Sequence, residues 1–156
     1  MMAALDNQEV GSSTKQGADS TFLTDIITRI CEALGISEQQ KCIITAQSLM
    51  LSCDNAHALH PNQPSLSDSN NAPVINGGVV IKYNANQKYT SDAVSSGIFK
   101  VICEKAGVPV QTYANRADLP GGSTLGNISN TKFSLNTVDI GIAQLAMHSA
   151  FETSGV

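Results

Sequence analysis

Two histidines closely follow an aspartate in the stretch LSCDNAHALHPNQP, residues 51–64. Asp54 ends an apolar run, and His57 and His60 follow it at steps of three. Carboxylates and imidazoles are ligands that Zn²⁺ accepts in proteins, so these side chains could belong to a metal or catalytic site. The spacing matches no familiar zinc motif, however. Taken alone, the stretch favours a solvated loop in which the aspartate caps backbone amides and the histidines only form hydrogen bonds.

Further candidate ligands lie near the two ends of the chain. DNQEVGS supplies Asp6, Gln8 and Glu9 before a Gly-Ser turn, and His148 is the third and last histidine. Alone, DNQEVGS is an acidic loop. Together with Asp54 and His148, it offers the carboxylates and the imidazole of a catalytic zinc site. Residues so far apart can converge in a fold, but their spacing does not show that they do.

The segment GGSTLGN contains glycines at a spacing that could suggest a phosphate-binding loop. Asn127 and Ile128 stand where such a loop needs lysine and serine or threonine, so the group that reaches the phosphates is missing. Ser123 also lacks the second glycine of a nucleophile elbow, which argues against a serine hydrolase. A tight turn that leads into a helix is the favoured interpretation.

Composition narrows the possible functions further. The 156 residues suit one domain; 42% are hydrophobic and 14% charged, with a net charge of -4. Few aromatic residues and no basic cluster argue against nucleic-acid binding. No leader segment and no apolar run of about 18 residues is visible, which predicts a cytoplasmic protein that does not bind membranes. The four cysteines form no CxxC pair and are expected to be buried, reduced thiols.

Helices and strands alternate along the chain, and this pattern defines the framework that must position the candidates. Periodicity and capping residues predict three helices, at residues 21–34, 37–48 and 90–106. The last of these is expected to be capped by Thr90 or Ser91 and to end at Gly107. Apolar runs predict strands at LMLSCD, GGVVIKYN, VPVQTYA and SLNTVDIGI, and helices at the end of LPGGSTLGN and in QLAMHSAFET. Buried strands alternating with helices favour an α/β sheet covered on both faces.

Binding sites in open α/β sheets collect at the carboxyl ends of strands. Asp54 ends one predicted strand, Lys82 lies near the end of another, and Asp118 follows a third. A long polar loop, residues 55–73, is expected after the first of these strands. The sequence therefore predicts that charged side chains meet at one edge of the sheet.

Five blocks in this order resemble the aspartyl aminopeptidase family of di-zinc metallo-aminopeptidases: DNQEVGSSTKQGA, SCDNAHALHPN, NGGVVIKYNANQKY, DLPGGSTLGN and VDIGIAQLAMHSAFET. The resemblance extends over nearly the whole chain. It implies a three-layer mixed sheet with helices on both faces, of the zinc-exopeptidase type but incomplete relative to the family. It also implies that residues 1–156 are the C-terminal part of the catalytic domain.

The resemblance assigns roles to individual residues. In the family, five side chains hold two zinc ions, and three of them map onto Glu9, Asp54 and His148. Glu9 and His148 would share one metal, and Asp54 would bind the other. The remaining His and bridging Asp belong upstream of DNQE and are expected to be missing from this chain. The resemblance places six residues beside the substrate: His57, Lys82, Tyr89, His60, Gly122 and Ser123.

One departure from the family bears directly on catalysis. The family has a glutamate as general base at the position of Gln8. A carboxamide is nearly isosteric but cannot accept the proton of a metal-bound water, so a loss of about a hundredfold or more is expected.

Two functions follow as expectations. By family, the protein is a zinc aminopeptidase that removes N-terminal residues from peptides, acidic ones if the family name applies, and it assembles into homo-oligomers when full length. The alternative is a truncated, inactive homologue or a fragment, without the upstream ligands and the general base. This chain alone is expected to have little or no activity, and it is expected to associate or to be marginally stable.

Overall fold

The computed structural model describes residues 1–8 and 10–155. Its helices are α1 (Phe22–Ala33), α2 (Glu38–Gln47), α3 (Ala93–Ala106) and α4 (Leu125–Asn130), with one 3-10 turn at Pro64–Leu66. Its strands are β1 (Leu49–Cys53), β2 (Ala56–His57), β3 (Val79–Tyr83), β4 (Val110–Ala114), β5 (Asn136–Gly141), β6 (Ala143–Leu145) and β7 (Thr153–Ser154). The predicted polar loop thus contains a short strand and a 3-10 turn.

Local capping signals determine where the helices begin and end. Ser37 forms the expected capping box with Gln40 at the start of α2. The start predicted for α3 is wrong, because Asp92 is the N-cap and its side chain accepts a hydrogen bond from Ser95 N at 2.7 Å. Gly107, at a φ of 67°, ends α3 as predicted. No helix within the described residues is long and apolar enough to cross a membrane.

The main sheet is mixed, with strand order β1-β5-β3-β4. Strand β1 runs parallel to β5 and β3 runs parallel to β4, whereas β3 and β5 are antiparallel. A smaller sheet, β2-β6-β7, continues from the ends of β1 and β5, with β2 parallel to β6. The two sheets therefore meet where β1 and β5 end.

The helix predicted for QLAMHSAFET is wrong. Gln144 and Leu145 lie in β6 and pair with Ser154 and Thr153 of β7. The residues between these strands form turns in which Ala146 has a φ of 54°, a value outside the right-handed helical region. Backbone pairing with distant strands outweighs the local helical pattern here.

Helices cover both faces of the main sheet, which confirms the predicted α/β class. On one face, Phe99 and Cys103 of α3 pack against Ile81 and Val138. On the other face, α4 lies so close that a Cβ at Gly126 would be 2.6 Å from Ser52 Cβ. A second apolar cluster joins the two sheets through Ala56, Ala58, Val80, Tyr89, Tyr113 and Ala143.

The cysteines only partly follow the prediction of buried thiols. Cys31 and Cys103 are buried, whereas Cys42 and Cys53 are exposed, and all four are free. Cys53 lies on β1, which pairs only with β5 within the described residues, so one side of this strand is open. The exposure of Cys53 therefore follows from its position in the fold rather than from its apolar sequence neighbours.

Candidate active site

Asp54 lies at the junction of the two sheets, directly after β1. Its backbone N–H donates to Ile140 O at 2.9 Å, and Ala56 N donates to Ile142 O at 3.0 Å, so the chain continues alongside its partner strand. A Cβ at Gly141 would lie 2.1 Å from Asp54 O and 2.8 Å from Asn55 Cα. The absence of a side chain at Gly141 therefore allows the close approach that positions Asp54.

A buried lysine faces this aspartate. Lys82 is 2% exposed, and its Nζ lies 3.6 Å from Asp54 Oδ2 and donates to Asn55 O at 3.3 Å. The ammonium also lies 5.1 Å from the centre of the Tyr89 ring. Burial lowers the pKa of Lys82, and the negative charges of Asp54 and Asp139 oppose this change. Lys82 thus brings a positive charge, surrounded by acceptors, to the base of the site.

One cleft brings residues from both ends of the chain together. Asp54, Gln8 and His148 all line it, although they come from the middle and the two ends of the sequence. Of the ten site residues predicted from the sequence, the cleft contains eight: Gln8, Asp54, His57, Lys82, Tyr89, Gly122, Ser123 and His148.

The histidine side of the cleft has an unusual backbone. His148 has a φ of 67° and follows Ala146, whose φ is also positive. The His148 N–H donates to Glu152 Oε1 at 2.6 Å, which stabilises this turn. Non-glycine residues in the left-handed region are uncommon and cluster at functional sites. The turn directs the chain so that Met147 and His148 reach the cleft.

His57 is the second imidazole of the cleft. Partial burial lowers its pKa, and the nearby His148 and Lys82 lower it further, while Asp54 acts in the opposite direction. The His57 ring is therefore neutral at neutral pH, and it can donate or accept a hydrogen bond through its two nitrogens.

Three sequence candidates lie elsewhere or outside the described residues. His60 lines a neighbouring groove of ≈ 360 Å³, which shares His57 and Tyr113 with the cleft. Asp118 is exposed and forms an ion pair with Arg116, so its predicted place at the ligand site is wrong. Glu9, predicted as a metal ligand, lies outside the described residues.

Sequence reasoning missed several polar residues around the cleft. Asp139 is fully buried in β5 and accepts hydrogen bonds from Thr90 and Thr124. The available signal was an acidic residue inside the otherwise apolar run VDIGI. Asn55, which lines the cleft, was also missed. Its side chain donates to Gln144 Oε1 at 2.7 Å and so links the residue before β2 to β6.

The donor set of the cleft fits zinc in part. Asp54 offers a carboxylate and His148 an imidazole in the same cleft, and both are zinc ligand types. Among the described residues, no group of three His, Cys, Asp or Glu side chains is arranged to hold a metal ion. Asp54 and His148 therefore fit a part of a zinc site, which needs further ligands to be complete.

Comparison with protein families identifies the chain. The model of the aminopeptidase I zinc metalloprotease (M18) family matches residues 1–156, the whole chain. The chain belongs to this family. The resemblance to aminopeptidases noted in the sequence is thereby confirmed.

Curated relatives support the same assignment. A probable M18 family aminopeptidase 2 from Clostridium novyi (strain NT) is 47% identical over 156 residues, which are 100% of this chain and 36% of the relative. A probable aspartyl aminopeptidase from Ricinus communis is 41% identical over 156 residues, which are 100% of this chain and 32% of the relative. The chain thus spans about a third of the length of these relatives.

Solved structures confirm the fold. A chain of the Ape4 and Nbr1 complex, determined by cryo-EM, has a TM-score of 0.89 and 42% identity over 92% of this chain and 27% of that chain. A chain of the S. cerevisiae mApe1 dodecamer has a TM-score of 0.82 and 29% identity over 97% of this chain and 33% of that chain.

Proposed function

We propose that this region is the C-terminal part of the catalytic domain of a zinc-dependent aminopeptidase, which removes N-terminal residues from peptides. The observation that carries the proposal is the convergence of Asp54 and His148, with Gln8, in one cleft. Membership of a zinc metalloprotease family supports the choice of metal. The names of the curated relatives support the choice of an aminopeptidase.

Asp54 and His148 would hold zinc, together with Glu9 and with ligands from outside this chain. Zinc bound there would polarise the scissile carbonyl and lower the pKa of a bound water. The backbone constraints described above support this role, because Gly141 fixes the position of Asp54 and the turn at Glu152 fixes that of His148. A metal site needs ligands that are held in place before the metal binds.

Lys82, His57 and Tyr89 would bind the substrate. The buried ammonium of Lys82 is suited to a negatively charged group, and the neutral His57 ring to a peptide carbonyl or amide. A preference for acidic N-terminal residues is consistent with Lys82 and with the name of the relative from Ricinus communis. Gly122 and Ser123 also line the cleft, and their backbone amides would donate to the peptide. His60 would bind it more weakly from the neighbouring groove.

Gln8 supports a second candidate, a homologue with little or no activity. It lines the cleft, and the family resemblance implies that this is the general-base position. A glutamine there cannot take a proton from water, so the rate should be lower by about a hundredfold or more.

Assembly of the full-length protein into homo-oligomers is the partner relationship that we propose, by analogy with the S. cerevisiae dodecamer. Apolar side chains of α3 support it, because Val94, Ile98, Val101 and Ile102 are each more than 40% exposed. A cytoplasmic location, with no nucleic-acid or membrane partner, completes the proposal. Size-exclusion chromatography with light scattering tests the assembly, and a stable monomer would contradict it.

Release of an aminoacyl reporter tests the proposed activity. The intact polypeptide is assayed with zinc, before and after metal chelation, on reporters with acidic and with neutral N-terminal residues. Gln8→Glu is expected to raise the rate by about a hundredfold. Gln39→Glu adds the same charge at an exposed site on α2 and serves as the control. Equal rates for the Gln8→Glu and parent proteins would refute the role of residue 8, and no zinc-dependent release from either would refute the peptidase.

A further inference from the structure

We infer that Asp139 is a positioning residue, which fixes two loops that line the cleft and thereby sets the substrate-binding geometry. The loops are residues 84–92, here the Tyr89 loop, and residues 118–124, here the Gly122 loop. That the ligand of the cleft is a peptide substrate rests on the proposed function. The structural basis of the inference, a single buried carboxylate between two loops, is independent of that function.

The carboxylate of Asp139 accepts a hydrogen bond from each loop. Its Oδ2 accepts from Thr90 N at 2.6 Å and from Thr90 Oγ1 at 2.8 Å. Its Oδ1 accepts from Thr124 Oγ1 at 2.7 Å. Asp139 is 0% exposed, so no water competes for these donors. Hydrogen bonds to an ionised acceptor at these distances are among the stronger ones in proteins.

Both threonines are adjacent to residues of the cleft. Tyr89 precedes Thr90, and Ser123 precedes Thr124. Tyr89, Ser123 and Thr124 all line the cleft, whereas Asp139 does not. The carboxylate therefore acts through the two loops and not by contact with a ligand. A shift of either threonine would move the Tyr89 ring or the backbone amide of Ser123.

Further contacts leave Asp139 and its loops little freedom to adjust. The Asp139 N–H donates to Ser91 Oγ at 2.9 Å, so the Tyr89 loop is bound to β5 through backbone as well as side chain. Gly126 N donates to Ser52 Oγ at 2.8 Å, which anchors the chain after the Gly122 loop. A Cβ at Gly126 would be 2.8 Å from Asp139 Oδ1. The packing is thus close on both sides of the carboxylate.

The two loops are held only if both side-chain oxygens of residue 139 accept hydrogen bonds. A carboxylate can accept all three hydrogen bonds, whereas an asparagine replaces one oxygen with an NH₂ group that only donates. In Asp139→Asn this NH₂ group must face the donors of one loop, and that loop should be released. A merely structural role of Asp139 in the sheet would instead weaken the fold as a whole.

Hydrogen exchange on this chain is the first part of the test. Asp139→Asn is expected to increase amide exchange in the Tyr89 or the Gly122 loop by about tenfold or more, because a hydrogen bond to a charged group is lost. Thr137→Val is the control, since it removes a buried hydroxyl from the same strand, and this hydroxyl donates to Leu135 O at 3.2 Å rather than to either loop. A uniform increase over the whole sheet in Asp139→Asn, or none in either loop, would overturn the inference.

Kinetics of the zinc-loaded intact polypeptide are the second part. Asp139→Asn should raise KM for the peptide reporter by about tenfold with a smaller change in kcat. Thr90→Val should raise KM in the same direction, and Thr90→Ser, which keeps the hydroxyl, should restore it. A loss confined to kcat, or equal damage by Thr90→Val and Thr90→Ser, would contradict the positioning role. If the parent polypeptide releases no reporter, the proposed function fails, and the exchange experiment still decides whether Asp139 holds the loops.

Discussion

Substitution of Gly141 tests how the fold positions Asp54. In Gly141→Ala the new Cβ would be 2.1 Å from Asp54 O and 2.8 Å from Asp54 C. Ordinary carbon contacts begin near 3.4–4 Å, so the two backbones must separate by more than about 1 Å. The atoms that the methyl group meets are backbone, so no side chain can rotate away. The φ of Gly141 is not positive, and the constraint is therefore one of space.

The size of the effect follows from these contacts. Overpacking of a close-packed region typically costs about 1–3 kcal/mol. Separation of the backbones also strains the bonds from Asp54 N to Ile140 O and from Ala56 N to Ile142 O, each worth about 1 kcal/mol. We expect Gly141→Ala to lower the free energy of unfolding by about 2–4 kcal/mol.

Gly97→Ala is the matched control. Gly97 lies inside α3, and a Cβ there would meet nothing within 4 Å. Alanine in a helix interior is favoured over glycine, so this variant should gain about 0.5–1 kcal/mol. Urea denaturation followed by far-UV circular dichroism measures both variants. Equal free energies for the two, or a more stable Gly141→Ala, would refute the claim that close backbone approach fixes Asp54.

Further predictions concern α3 and the charges of the cleft. Asp92→Ala should destabilise the fold by about 1 kcal/mol because it removes the α3 N-cap, while Asp92→Asn should retain most of the stability; urea denaturation measures both. Lys82→Met should raise the pKa of His57, because it removes a nearby positive charge. NMR titration of the His57 ring protons measures this pKa, and an unchanged value would contradict an electrostatic interaction between the two residues. In the metal-free chain the pKa of His57 is below its unfolded value, so the unfolded chain binds the proton first. Stability should therefore fall as pH drops from about 6.5 towards the folded pKa, and this loss should be absent in His57→Gln.

Local signals allowed the helices and most strands to be predicted from the sequence. Helix α2 forms where its capping box indicates, because Ser37 and Gln40 satisfy each other's backbone groups within one turn. The C-terminal segment could not be predicted in this way. Its residues Gln144 and Leu145 pair with β2 and β7, and such pairing depends on contacts between distant parts of the chain.

For the site, too, local sequence patterns identified candidate residues but not their partners from distant parts of the chain. Residue types and spacing left Asp54 and His57 open to two interpretations, and the resemblance to a family indicated which distant residues would join them. Asp139 was missed because its partners, Thr90 and Thr124, are separated from it in sequence, so no local pattern links them. The wrong placement of Asp118 has a different cause, since its partner Arg116 holds it at the surface.

Anomalous diffraction at the zinc edge, from crystals of the zinc-loaded intact polypeptide, tests the central claim most directly. An anomalous peak is expected within about 2.0–2.2 Å of a ligand atom of Asp54 or His148, with further ligands at similar distances that complete the coordination. Zinc bound only at sites remote from both residues, in a protein that still releases the reporter, would show that Asp54 and His148 do not hold the catalytic metal.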